Sequence, residues 1–421
     1  MSGRLLPPRR VAELVQRRGG AVSEAAMSAA GPIVRDVAAR GETALREYAE
    51  RFNEIKEGAS LFFDRAALVR ALQHMAATDR ERLKRIGDRI RSFAEAQLRA
   101  LAPVDVAVPG GRAGHWIAPV ERAGCYAPGG RYPLLSSALM TVVTARTAGV
   151  KQVWLATPRP GPMMLGAAAL AGADGVLAAG GAHAIAALAF GAGPVPPSDV
   201  IAGPGNRYVS AAKQIVSTQV RIDMRAGPTE VVIFADQSAS ASAVAADLLA
   251  QAEHDPDARP ILVTLDRGLA ERVELELGRQ LATLPTAAVA HQSLANGGVV
   301  LVNSVEEGIA ACDALAPEHL ELFLEDATAI APRLNHFGAL FIGGASAEVL
   351  GDYGAGPNHV LPTAGTARAT GGLSVFTFLR VRTWLRIDDG AAARPLIEDA
   401  AWLGRVEGLE AHARSAEQRL D

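Results

Sequence analysis

The sequence predicts an α/β fold of two doubly wound, incomplete Rossmann-like lobes, with an N-terminal arm and a small C-terminal appendage of helix and extended chain. Two observations carry that expectation. Short apolar runs of strand length at 152–156, 175–178 and 199–202 alternate with alanine-rich helical stretches at 136–148, 163–171 and 183–190. The same alternation restarts at 230–235 and continues through 261–265, 299–303 and 339–342. Strands that show no solvent face, separated by helices, belong to parallel sheets covered on both sides. Ala226-Gly227-Pro228 punctuates the join between the two sets.

Each remaining element follows in order. Residues 1–20 carry Arg and Pro around Val11, Leu14 and Val15, which reads as an arm or short helix packing on a neighbour rather than building a core. Three helices come next. The first covers 22–39 and stops at Arg40-Gly41, and the third covers 80–101 with Leu83, Ile86, Ile90, Phe93 and Leu98 as its apolar stripe. Asp64 and Asp79 stand where N-caps are expected. These helices need a sheet to pack on, so residues 21–125 plus 229–373 are expected to form one discontinuous lobe and 126–228 the other. Beyond Ser374 an extended segment at 375–387 and two helices make up the 374–421 appendage.

Composition excludes several classes of function. The 421 residues have a formal charge of −3, which favours neither nucleic acid nor an anionic membrane surface. Hydrophobic residues reach 49%, yet none of the runs attains the roughly 18 apolar residues that span a bilayer. The first twenty residues lack the apolar core of a signal peptide, and two cysteines, Cys125 and Cys312, imply no disulfide framework. A soluble cytoplasmic protein is expected.

Polar residues with chemical potential cluster in a few places. Gln251-Ala252-Glu253-His254 closes an apolar helical run, and Pro256 marks its end. Gln251 and His254 are three apart, so on a helix they share a face, and an amide oxygen with an imidazole suits a borderline cation such as zinc. The same stretch also fits a capped helix end with a polar rim. Glycine-rich turns at Tyr126-Ala127-Pro128-Gly129-Gly130, Gly180-Gly181-Ala182-His183 and Gly203-Pro204-Gly205-Asn206 follow strands, where open α/β sheets bind ligands. No GxGxxG follows a strand, and tight turns without a ligand look much the same. Glu318-His319 sets a carboxylate beside an imidazole, the residue types of proton transfer, although a polar surface loop reads alike. The loop from Gly351 to His359 offers Asp352 and His359, and Glu407 and His412 stand near the C-terminus.

Taken together, Tyr126–Gly130, Gly203–Asn206, Ala226–Glu230, Gln251–His254, Ala316–His319, Gly351–Pro362 and Glu407–His412 resemble the histidinol dehydrogenase family from about Arg40 onward. The resemblance implies a zinc enzyme that oxidises L-histidinol to L-histidine through the aldehyde, using two NAD in succession. It implies Gln251, His254, Asp352 and His412 as zinc ligands, the last donated by the other subunit of a homodimer. Glu318 and His319 become the acid-base pair. Thr229, Gln251, His254, His319, Asp352, His359, Glu407 and His412 become substrate contacts, and Tyr126, His183 and Asn206 NAD contacts. Residues 126–228 are then the NAD-contacting lobe and 374–421 a dimer-exchange segment.

Two departures stand out. The family pattern has Gln at position 183 and Ser at position 229, where this chain has His183 and Thr229. Threonine keeps the hydroxyl; histidine rearranges donors and acceptors around the cofactor. Two other readings remain at this point: a zinc- and NAD-dependent dehydrogenase of another small polar alcohol, such as a sulfonated diol, and a two-lobed binding protein without catalysis.

Overall fold

A computed structural model describes residues 4–16, 22–129, 133–224 and 226–420. Gly130 of the first glycine-rich turn and part of the 1–20 arm lie outside the described residues. The fold is mixed α/β with two parallel sheets and a smaller antiparallel one. The first sheet runs Gly175–Leu177, Gln152–Ala156, Arg122–Tyr126, Val200–Ala202, Arg221–Ile222, with Phe62–Asp64 added antiparallel at its edge. The second runs Gly298–Leu301, Arg259–Thr264, Glu230–Ala235, His319–Phe323, Ala339–Ile342. Numbering the parallel strands of each lobe in chain order, both sheets read 3-2-1-4-5, the doubly wound arrangement with a switch point between strands 1 and 4. Their strands are buried on both faces, which explains the unbroken apolar runs.

The packing of the early helices differs from the expected grouping. Glu24–Arg40 lies on the helices Gly181–Phe190 and Arg207–Val216, and Ala77–Arg99 lies on Leu135–Thr147. Val34, Val37 and Leu45 share a core with Leu177, Ile185 and Ile201. Residues 24–99 therefore cover the first sheet rather than joining 229–373. Chain proximity contributes to this, since Phe62–Asp64 lies among these helices and joins the edge of the first sheet, which needs helices on both faces.

The arm behaves differently too. Leu6 and Leu14 are fully buried in the second lobe, and the main chain of Pro7 and Arg9 pairs with Val299 at 2.9 and 2.8 Å. It blunts the sheet's edge and contributes core, where the sequence suggested packing on a neighbour.

Among the caps, Asp64 accepts from the Ala67 N–H as expected. Asp79 sits inside the first turn of a helix that starts at Ala77. An acid there still favours the helix N-terminus without capping it. The extended C-terminal segment is a strand, Leu379–Ile387, on the antiparallel sheet with Gly111–Pro119 and Val104–Val108. The helices Arg394–Val406 and Glu410–Glu417 follow it. No helix among the described residues is long and apolar enough to cross a membrane.

Candidate active site

The two lobes meet at a cavity of about 620 Å³. From the first lobe it takes Pro128 and the Gly203–Asn206 turn, which follow the carboxyl ends of strands 1 and 4. Gly203 has φ +134°, and a Cβ there would lie 2.0 Å from the Tyr126 carbonyl oxygen, so only glycine allows this approach. The second lobe contributes the opposite end of its sheet. Thr229 precedes strand 1, and Glu318 and His319 stand at the start of strand 4. Because His319 pairs in register with Val231, Glu318 lies beside the start of Glu230–Ala235.

That register gives the acid its donors. Glu318 Oε2 is 2.5 Å from Thr229 Oγ1 and accepts from the Glu230 N–H at 3.1 Å. Burial nonetheless raises the Glu318 carboxyl well above its ordinary range, against those two contacts. The Gln251 amide is best satisfied with Nε2 donating to Glu348 at 2.8 and 3.2 Å and Oε1 2.6 Å from Thr229 Oγ1. One hydroxyl proton serves one acceptor. With Glu318 protonated, the chain Glu318 to Thr229 to Gln251 satisfies every member.

His319 and Glu321 point to one face of their strand, toward the helices Ala241–Ala252 and Glu348–Asp352. His319 Nδ1 is 3.4 Å from Glu348 Oε1 and 3.3 Å from the Glu230 carbonyl, and its Nε2 is 3.9 Å from Asp352 Oδ1. Burial drives the His319 pKa down to about 4, with His359 and His254 adding to the effect and Asp352 opposing it. The imidazole is thus neutral at pH 7. Asp352 is held below its ordinary value. Burial raises it, but a hydrogen bond from His359 and the imidazoles of His319, His359 and His254 outweigh burial. Ring nitrogens Nε2 of His319 and His359 are buried without a partner.

The expected residues are therefore largely gathered. Thr229, His254, Glu318, His319, Asp352 and His359 line the cavity, and Gln251 lies fully buried against Thr229 and Glu348. One local expectation fails. The helix ends at Ala252, so His254 sits two residues beyond it and does not share a helix face with Gln251. Its N–H still reaches back to the Gln251 carbonyl at 3.4 Å. Glu407 and His412 are exposed and are not among the cavity's lining residues.

Two residues of the site carried no flag in the sequence. Glu348 stands four positions before Asp352, and donor atoms of His319, Glu348 and Asp352 come within 4.8 Å of one another. That i, i+4 spacing was a readable signal. Glu54 follows a helix with no local cue, yet it accepts from the Gly180 N–H at 2.9 Å and lies 2.8 Å from His183 Nε2.

Glu54 belongs to a second cavity of about 580 Å³, lined by Phe52, Tyr126, His183, Asn206 and Tyr208. His183 stacks on Phe52 with ring centroids 5.5 Å apart. Asn206 and Pro128 line both cavities, so the two are adjacent spaces.

Comparison with known proteins accords with this arrangement. The family model described as histidinol dehydrogenase matches residues 16–420. A histidinol dehydrogenase of Thermus thermophilus is 54% identical over 74% of this chain and 75% of that one. That of Nitratidesulfovibrio vulgaris is 46% identical over 92% of each. The crystal structure of histidinol dehydrogenase from Elizabethkingia anophelis superposes with a TM-score of 0.91 at 30% identity, covering 100% of this chain and 99% of that one. With its fold, its acid-imidazole cleft and its relatives in agreement, the chain belongs to the histidinol dehydrogenase family.

Proposed function

We propose that the protein oxidises L-histidinol to L-histidine through the aldehyde, with NAD as hydride acceptor in both steps and zinc as resident metal, in a cytoplasmic homodimer. The observation that carries this reading is the buried pair at the lobe junction: a neutral His319 beside a Glu318 wired to Thr229. The donor set suits zinc. His254 offers a nitrogen, Gln251 and Asp352 offer oxygens, and orphaned ring nitrogens nearby await a polar ligand. Gln251, His254, Asp352 and the partner subunit's His412 would hold the ion, which would bind and position the substrate's amine and imidazole.

His319 takes the alcohol proton as hydride leaves the carbinol carbon. Tyr126, His183 and Asn206, which line the adjacent cavity, would hold the NAD that supplies the hydride acceptor. In the second step a water adds to the aldehyde carbon, and Glu318 takes its proton. For that step Glu318 acts as the carboxylate, accepting from the Thr229 hydroxyl and the Glu230 N–H. His359 is assigned to substrate, and Glu407, which is exposed and outside this chain's cavity, would reach substrate only in the homodimer.

The C-terminal segment supports the dimer. Val381, Leu385, Trp402 and Val406 are more than 60% exposed, too much apolar surface for a segment without a partner. Glu318→Gln tests the division of labour. Single-turnover kinetics should show the first NADH formed at close to the native rate and the second slowed by about 10²-fold or more. Equal loss of both steps contradicts it.

A further inference from the structure

A buried ion pair stands beside the Gly203 turn and takes no part in the chemistry above. Lys213, 1% exposed on the helix Arg207–Val216, pairs with Asp223, whose side chain is fully buried. Together they grip one residue by both of its main-chain groups. Lys213 Nζ donates to the Gly203 carbonyl at 3.0 Å, and Asp223 Oδ2 accepts from the Gly203 N–H at 2.7 Å. Neither is among the lining residues of the two cavities, whereas Gly203 lines the larger one.

Asp223 is also where the chain leaves the first lobe. Its N–H meets the Ile201 carbonyl at 3.1 Å, and its Oδ1 accepts from the Met224 N–H at 2.6 Å. Ser210, three positions before Lys213 and so on the same helix face, donates to the Ala226 carbonyl at 2.6 Å. The Gly227 N–H donates to Thr363 Oγ1 at 2.5 Å, and the crossing ends at Thr229, hydrogen-bonded to Glu318. One helix face of the first lobe thus holds both the glycine turn and the segment that leads to the acid.

The second lobe lacks this device. Its turn after strand 4 lies at the sheet end away from the cavity. There half-buried Asp236 accepts from the Glu325 N–H at 2.9 Å, and among the described residues no cation pairs with Asp236. Burying two charges costs desolvation that an apolar pair of similar size avoids, so stability alone does not call for an ion pair. What this pair supplies, and an apolar one does not, is a donor and an acceptor fixed on the same glycine.

We infer that Lys213 and Asp223 are positioning residues for the reaction proposed above. By tying Gly203 to the 223–229 crossing, they set the first lobe's side of the cleft at its working distance from Thr229 and Glu318. The inference rests on that reading of the cleft. Hydride transfer needs donor and acceptor in contact, and a displacement of about 1 Å costs about 10²-fold in rate.

Lys213→Met alone would strand the Asp223 carboxylate in the interior. The test therefore combines it with Asp223→Asn, which leaves neither charge unpaired and keeps an amide oxygen for the Gly203 N–H. In the zinc-loaded, full-length protein the double variant should lose about 10- to 10²-fold in kcat per folded molecule. Its calorimetric Kd for L-histidinol should stay within about twofold, since the second lobe supplies the metal and the acid. Amide exchange should quicken by about 10-fold or more across 203–206 and 226–229, with Arg122–Tyr126 and Glu230–Ala235 unchanged. Ser210→Ala, which keeps the pair, should lower kcat by about threefold. Unchanged kcat in a folded double variant overturns the inference and leaves the pair a structural role. A raised KM for NAD with kcat unchanged also overturns it, because the pair would then serve the cofactor's seat alone. If the double variant does not fold, Ser210→Ala decides, and an unchanged kcat there overturns it. If the native protein forms no NADH from L-histidinol, the reaction reading fails and this inference falls with it; an active native protein with unaffected variants sinks this inference alone.

Discussion

The two lobes share a strand order and use opposite ends of it. Both parallel sheets read 3-2-1-4-5, and both present the gap between strands 1 and 4 to the same cavity. The first lobe does so with its carboxyl ends, where glycine turns bring main chain close to a ligand. The second does so with its amino ends, where Thr229, Glu318 and His319 stand just before or at the first residue of a strand. Ligand binding at carboxyl ends is the rule for open α/β sheets, and the first lobe follows it. At the amino ends of a parallel sheet, side chains can be buried beside main-chain donors already set by strand register, as Glu318 is beside the Glu230 N–H. On the proposed function, one lobe provides a cradle and the other provides reacting groups.

Breaking the reacting end should have the largest effect. His319→Asn should lower kcat by about 10²–10⁴-fold, the usual worth of a general base, with NAD affinity retained. Steady-state kinetics with separate NAD titrations check this. Breaking the cradle should act on stability and cofactor together. Gly203→Ala forces a Cβ toward Tyr126 at φ +134°, and should cost more than about 2 kcal/mol in denaturant unfolding while raising the KM for NAD.

Both sheets were legible because their strands are continuous apolar runs. The bounds 152–156, 230–235 and 339–342 agree with the strands found. His319–Phe323 was missed as a strand because it opens on Glu318-His319-Leu320-Glu321, whose polar residues look like a loop until their burial is known. The antiparallel strands 104–108 and 111–119 are largely exposed or half-buried and gave no apolar run. Most of the residues gathered at the cleft were legible through the resemblance of whole motifs. Glu54 was not, since its partners Gly180 and His183 lie more than 120 positions away. The His183 departure gains a physical setting from that contact, because a histidine here pairs with Glu54 and stacks on Phe52.

Acidity sharpens the comparison further. Burial holds His319 near 4, below its ordinary 6.5, so the base stays unprotonated as pH falls. In single turnovers of the first oxidation, which the proposed function routes through His319 alone, the acidic limb should therefore lie between about pH 4 and 5, not near 6.5. The stability sign follows. Between 6.5 and about 4 the unfolded chain takes up this proton and the folded one does not, so His319 destabilises the fold as pH drops through that window. A His319→Asn variant should show a shallower loss of stability there in denaturant titrations.

The smallest effect should come from the far end of the second sheet. Gly343 follows the carboxyl end of strand 5 with φ +86° and open space around its Cβ position. Gly343→Ala should cost about 1 kcal/mol through backbone strain alone and leave kcat and KM unchanged. A change in kcat would show that both ends of that sheet serve the reaction.

The most direct test of the central claim, that a cradle and an acid-imidazole pair across the cleft run two successive oxidations, is stoichiometric. The native protein, supplied with zinc, excess NAD and a limiting amount of L-histidinol, should release two NADH for every histidinol consumed, with L-histidine as product. One NADH per histidinol, or none while another polar alcohol is turned over, would contradict it.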